Sequence, residues 1–137
     1  TGTIGLSMAN NARQVIGVEI VEAAVEDARR NAKQNQIKNA RFFCGDASEA
    51  AEKLQKEGIQ PDVVILDPPR KGCGEELIRT VVKMAPERVV YVSCDPATLA
   101  RDLKLFTELG YSLYSLQPVD MFPRTPHVEA VVLLTKK

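Results

Sequence analysis

A chain of 137 residues suits one domain with a single core, and a composition of 45% hydrophobic and 26% charged residues excludes a disordered or collagen-like polymer. Eighteen Lys and Arg offset eighteen Asp and Glu, so the basic field typical of a nucleic-acid binder is absent, and no apolar run approaches the ~18 residues of a membrane span. With no charged-then-apolar leader the expected location is cytoplasmic, and three cysteines without a CxxC pair beside a single histidine give no metal site or disulfide framework to expect.

The chain opens on Thr1-Gly2-Thr3-Ile4-Gly5-Leu6, a glycine-rich turn that leads into a short helix expected over residues 4–10. Val15–Glu19 reads as a strand and residues 21–35 as a helix, because Val21, Ala24, Val25, Ala28 and Ala32 recur at helical spacing. A strand over Ala40–Cys44, a helix over 48–56 that ends near Gly58 and a buried strand over Val63–Leu66 follow. A helix over Glu75–Met84 precedes a strand over Arg88–Ser93. Leu99, Leu103, Phe106 and Leu109 then form the apolar stripe of a helix that stops at Gly110, before strands over Tyr111–Val119 and residues 128–134. This alternation predicts an α/β fold, a doubly wound and mostly parallel sheet with helices on both faces, as one domain over residues 1–137. A glycine turn of this type should follow a first strand. None precedes it here, so the domain reads as N-terminally truncated, its first strand missing.

Ligands of such sheets bind beyond the carboxyl ends of the strands, which makes the residues there the candidates. Gly2 and Thr3 lie in a turn whose glycines let the backbone approach a ligand closely. Glu19 ends its strand, where a carboxylate can accept hydrogen bonds from two ribose hydroxyls, and Asp46 and Asp67 occupy the same edge after the next two strands. Such carboxylates suit a nucleoside bearing a sulfonium cation better than a pyrophosphate. Asp46 can equally cap the helix that follows it. In Asp67-Pro68-Pro69-Arg70-Lys71-Gly72 two prolines fix φ and hold Asp67 in place, and this loop after an apolar strand points to a methyltransferase. Amino-group methyltransferases end the loop in an aromatic residue that stacks on the target base; Arg70 stands there instead.

In Ser93-Cys94-Asp95-Pro96, Asp95 is suited to an N-cap and Pro96 to a first helical position. Cys94 therefore falls between a strand end and the positive end of a helix, an environment that activates a thiol as a nucleophile. Cys44 reads as a small buried hydrophobe within its strand, and Cys73, between two glycines, as an exposed loop thiol. Phe122-Pro123-Arg124-Thr125-Pro126-His127-Val128-Glu129 reads as a loop entering the last strand, with His127 orienting the loop and Glu129 interrupting an apolar run.

Together, DPPRKG, SCDPATLARD and FPRTPHVE resemble the bacterial RNA 5-methyluridine methyltransferases, the family of the 23S rRNA and tRNA uracil-5 enzymes, over essentially the whole chain. The resemblance implies a Rossmann-like domain of the S-adenosylmethionine-dependent type. It implies Cys94 as the nucleophile that attacks carbon 6 of a uracil and Glu129 as the base that removes the carbon 5 proton. Glu19, Asp67, Asp46, Gly2 and Thr3 would hold S-adenosyl-L-methionine. RNA is the implied partner, 23S rRNA ahead of tRNA, gripped mainly by regions not in this sequence, some of which carry an iron–sulfur cluster in the family. The neutral charge agrees with that division, and the chain alone is expected to bind RNA poorly and turn over little. The rival readings are an amino-group methyltransferase on nucleic acid or protein centred on the DPP loop, a nicotinamide-dependent oxidoreductase and a noncatalytic binding domain.

Overall fold

The computed structural model describes residues 2–137; Thr1, the first residue of the expected glycine turn, lies outside the described residues. The chain divides into two compact units, one ending at Lys53 and the other running from Leu54 to Lys137. The first unit contains α1 (Thr3–Met8), a single 3-10 turn (Ala9–Asn11), β1 (Val15–Glu19), α2 (Glu22–Gln34) and β2 (Ala40–Cys44). Helix α3 (Ala47–Lys56) spans the boundary. The second unit contains β3 (Val63–Leu66), α4 (Glu75–Met84), β4 (Arg88–Ser93), α5 (Pro96–Glu108), β5 (Tyr111–Val119) and β6 (Glu129–Lys136).

In the first unit β1 and β2 are parallel, from Val15 opposite Ala40 to Glu19 opposite Cys44, with α2 as the crossover. Val25, Ala28 and Ala32 of α2 are buried with Phe42 of β2, the small residues giving the ring room. Two glycines complete that fit: a Cβ on Gly17 would come within 2.5 Å of the Phe42 ring, and one on Gly2, whose φ is +73°, within 2.8 Å of the Ala28 Cβ. The close approach that Gly2 permits on this side is to the protein's own core. Helix α2 ends in a paired closure, Gln36 N–H donating to Lys33 O at 3.1 Å and Ile37 N–H to Ala32 O at 2.9 Å. Ile37 packs on the Phe42 cluster, the apolar contact that accompanies this motif.

In the second unit the strand order is β3-β4-β6-β5. β3 and β4 are parallel, but β4–β6 and β5–β6 are antiparallel. The α/β class is as expected. The sheet is mixed where a mostly parallel one was expected, and the strands fall in two sheets. The reason for the mixing is local: β5 and β6 form a hairpin through residues 120–128, and β6 inserts beside β4. Ile78 and Val81 of α4, Leu99 and Phe106 of α5, and Val89, Tyr91, Tyr111, Val132 and Leu134 of the sheet form one core. Phe106 meets Tyr111 edge-on with ring centroids 5.9 Å apart, and each such buried ring contributes about 2 kcal/mol of apolar burial.

Candidate active site

The acidic candidates of the first unit lie at the carboxyl end of its two strands. Glu19 is the last residue of β1, exposed, and its Oε1 accepts from Val21 N–H at 3.1 Å, which orients the carboxylate over the turn into α2. Gly45 N–H donates to Glu19 O at 3.0 Å, so the loop carrying Asp46 is fastened to the end of β1. Asp46 Oδ1 accepts from Ser48 N–H at 2.8 Å and Glu49 N–H at 3.3 Å; it caps α3, the alternative role its position allowed. Gly2 precedes α1 and Thr3 is its exposed first residue.

The second unit holds Asp67, Cys94 and Glu129, the residues on which the chemistry was predicted to turn. In the β4–β6 pairing Val92 faces Val131 and Ser93 faces Ala130, the last rung, so Cys94 follows and Glu129 precedes the residues of that rung. Glu129 is paired with Val119 of β5, which fixes its backbone at the start of β6. Asp67, exposed, follows Leu66, whose parallel partner on β4 is Tyr91. Cys94 is half-buried in a turn with little freedom. The Ser93 hydroxyl donates to Asp95 O at 2.9 Å and accepts from Asp95 N–H at 3.1 Å, bridging over Cys94. Asp95 then caps α5, its Oδ1 accepting from Ala97 N–H at 3.0 Å and Thr98 N–H at 2.9 Å, with Pro96 first in the helix. Those bonds, above all from Thr98 N–H, hold the Asp95 carboxyl below the usual aspartate range.

Arg70 links the three motif segments. Its Nη2 lies 3.2 Å from Nδ1 and 3.4 Å from Nε2 of His127, which ties the DPP loop to the loop that leads into Glu129. Its carbonyl accepts from the Thr98 hydroxyl at 2.9 Å, so the same loop is also tied to α5. The side-chain partner of His127 is Arg70.

Asp102, on which the sequence reading placed no role, anchors the DPP loop from within. It is only 2% exposed, and its Oδ2 accepts from Cys73 N–H at 2.7 Å and from the Tyr91 hydroxyl at 2.5 Å. Oδ1 accepts from Arg101 Nε at 2.9 Å, and Arg101 Nη2 donates onward to Lys71 O at 2.9 Å and Cys73 O at 3.3 Å. Burial, reinforced by the bond to Asp102, pushes the Tyr91 hydroxyl far up, so it remains a donor. Gly72 is required by this closure: its φ is +74°, and a Cβ there would meet Arg101 Nη2 and Asp102 Oδ2, each at 2.6 Å. A signal was present in the sequence, since Leu99, Asp102 and Phe106 share the buried face of α5 and an acid in an apolar stripe must be paired. Asp102→Ala strands a buried N–H, a phenol and part of a guanidinium, and is expected to cost about 3 kcal/mol in urea unfolding; Arg101→Ala, whose side chain is half-exposed, should cost about 1 kcal/mol.

The other cysteines exchange their expected places. Cys73 is buried, because the left-handed Gly72 turns the chain inward and Asp102 holds the Cys73 N–H; burial pushes its thiol up to about 11. Cys44 is exposed: β2 pairs only with β1, and Phe42 is its one buried residue. Hydrogen bonding to Glu22 raises the Cys44 thiol. Cys44 also lies between a strand and a capped helix, but without the DPP and His127 loops that flank Cys94 in the second unit. Among the described residues no cluster of His, Cys, Asp and Glu could hold a metal ion, and no helix is long and apolar enough to cross a membrane.

Comparison with known proteins places the chain in a family. The chain is 57% identical over 135 residues to an uncharacterized RNA methyltransferase of Enterococcus faecalis, an alignment that covers 98% of this chain and 30% of the relative. It is 55% identical to one from Bacillus cereus, covering 98% of this chain and 29% of that protein. The chain thus spans about 30% of the length of the curated relatives it matches. Among solved structures, the tRNA (uracil-54, C5)-methyltransferase of Pyrococcus abyssi, in complex with S-adenosyl-L-homocysteine, superposes with a TM-score of 0.82 at 36% identity, over 98% of this chain and 32% of that one. The precorrin-6y C5,15-methyltransferase of Geobacter metallireducens shares the fold alone, with a TM-score of 0.80 at 16% identity over 98% of this chain and 76% of that one. The tRNA (uracil-5-)-methyltransferase family model matches residues 1–137, and the chain belongs to that family.

Proposed function

We propose that this chain is the catalytic part of an S-adenosylmethionine-dependent enzyme that methylates carbon 5 of a uridine in RNA, with 23S rRNA as the substrate and tRNA as the alternative. The observation that supports the reading is the β4–β6 register, whose last rung, Ser93 opposite Ala130, has Cys94 and Glu129 as its immediate chain neighbours. The reaction needs a nucleophile for one carbon of a double bond and a base for the other close to one another.

The chemistry of each residue fits the cofactor: Glu19, the last residue of β1, and Asp67, the residue after β3, are exposed carboxylates that can accept hydrogen bonds from hydroxyl and amino groups. Gly2, Thr3 and Asp46 are the further proposed cofactor residues, Asp46 with one oxygen engaged by α3. When bound, S-adenosylmethionine supplies a methyl group on a positively charged sulfur.

Carbon 5 of uracil is too weak a nucleophile to accept that group unaided. The Cys94 thiolate adds to carbon 6, forming an S–C bond and moving the electron pair of the double bond toward carbon 5. Carbon 5 then takes the methyl group, with S-adenosylhomocysteine as the leaving product. Glu129 removes the proton left on carbon 5; the electron pair restores the double bond and expels the Cys94 sulfur. The bonds of Asp102 to Cys73 and of Arg70 to His127 hold the DPP loop and the loop before Glu129 in place for these steps. The base must leave its stack to reach such a site.

The formal charge of the chain is +0, which supports assigning most of the RNA grip to the remaining length of the protein. The test is product identification. The full-length protein, given unmodified 23S rRNA and tRNA transcripts with methyl-labelled cofactor, should yield labelled 5-methyluridine on nucleoside mass spectrometry. Label on a base nitrogen would contradict the proposal.

A further inference from the structure

Among the described residues three that are not glycine have positive φ: Gln36 at +56°, Ala85 at +56° and Arg124 at +70°. Gln36 and Ala85 terminate α2 and α4, where a left-handed residue is an ordinary way to stop a helix. Arg124 has no such reason. It lies between β5 and β6, in a four-residue turn closed by Thr125 N–H donating to Phe122 O at 3.1 Å and reinforced by the Thr125 hydroxyl to the same oxygen at 2.7 Å. Pro123 is second and Arg124 third in this turn, and a positive φ in third place is where glycine is the low-energy choice.

The chain therefore keeps a long cation where the backbone asks for glycine. Strain of this kind persists where the side chain has work to do. Among the described residues the Arg124 guanidinium has no hydrogen-bond or ion-pair partner, unlike Arg70 and Arg101. On the same turn Phe122 is 51% exposed and the preceding Met121 62%. The loop that carries the turn, residues 120–128, leaves the sheet at the rung that pairs Val119 with Glu129, the proposed base.

An exposed ring beside an unpaired cation on a stiffened turn matches the way single-stranded nucleic acid is gripped, by stacking on a base and neutralising a phosphate. The geometry points to the Phe122–Thr125 turn as an RNA contact: Phe122 stacks on a base near the target uridine, and Arg124 pairs with a backbone phosphate. The inference rests on the RNA reading above and adds to it the surface that meets the substrate strand.

The experiment measures the affinity of the full-length protein for unmodified 23S rRNA and tRNA transcripts between 50 and 300 mM salt, on the order of the range over which phosphate contacts are lost. Arg124→Gly should keep or raise the thermal midpoint, leave S-adenosylhomocysteine affinity unchanged, weaken RNA binding and flatten the log–log salt slope by about one. Phe122→Ala should weaken RNA binding roughly tenfold, with Phe122→Tyr restoring it. If the wild type forms 5-methyluridine while Arg124→Gly keeps its RNA affinity and salt slope, the turn is not a contact and the function stands. A wild type that binds neither RNA would remove both.

Discussion

Replacing Cys94 by Ala in the full-length protein should lower uridine methylation by more than about 10⁴-fold, because loss of a nucleophile removes the whole covalent route. Cofactor affinity and thermal midpoint should stay near the wild-type values. The structure explains why the loss is clean. The turn around Cys94 is held by the Ser93 hydroxyl and by the Asp95 cap, neither of which needs the thiol. Ser93 offers no substitute nucleophile, being buried with its hydroxyl engaged by the Asp95 backbone on both sides. Radiolabel transfer to RNA, with isothermal titration of S-adenosylhomocysteine as the control, reads both quantities. Activity that survives in Cys94→Ala would return the assignment to an amino-group methyltransferase centred on Asp67 and its prolines.

Glu129→Gln should fail differently. A general base contributes about 10²- to 10⁴-fold, so turnover should fall by that amount. Addition of the thiolate and methylation of carbon 5 do not require the base. The covalent enzyme–RNA species therefore accumulates in Glu129→Gln, visible as an SDS-stable band of RNA plus protein, whereas Cys94→Ala shows none. The substitution changes no backbone pairing, since Glu129 meets Val119 through its main chain and Gln occupies nearly the same volume. A Glu129→Gln enzyme with wild-type turnover and no trapped species would assign the proton transfer to another group.

The elements were almost fully legible because their signals are local. The apolar stripe and the Asp95-Pro96 start give α5, Gly110 follows its end, and the helix expected over residues 21–35 is observed as Glu22–Gln34. What was not legible depends on partners distant in sequence. Nothing in residues 111–134 marks β6 as the strand that inserts between β4 and β5, because the hairpin loop carries no short Asn-Gly type turn. The burial of Cys73 depends on Asp102, 29 residues later, and the exposure of Cys44 on β2 having a single strand neighbour. In the proposed site, the position of Cys94 between β4 and the Asp95-capped α5 was readable from the sequence. That Cys94 and Glu129 adjoin the same rung needs the register, which sequence alone does not supply. Asp102 and the Arg70–His127 contact went unread for the same reason, although the acid in the buried stripe of α5 was a visible sign.

The central claim is that Cys94 forms a covalent bond to carbon 6 of a uracil on which carbon 5 is then methylated. The most direct measurement mixes the full-length protein with S-adenosylmethionine and RNA carrying 5-fluorouridine. Fluorine cannot leave as a proton, so the account predicts an adduct on denaturing gels that mass spectrometry maps to Cys94 and that Cys94→Ala abolishes. An RNA that is methylated at uridine yet forms no adduct in its fluorinated version would contradict it.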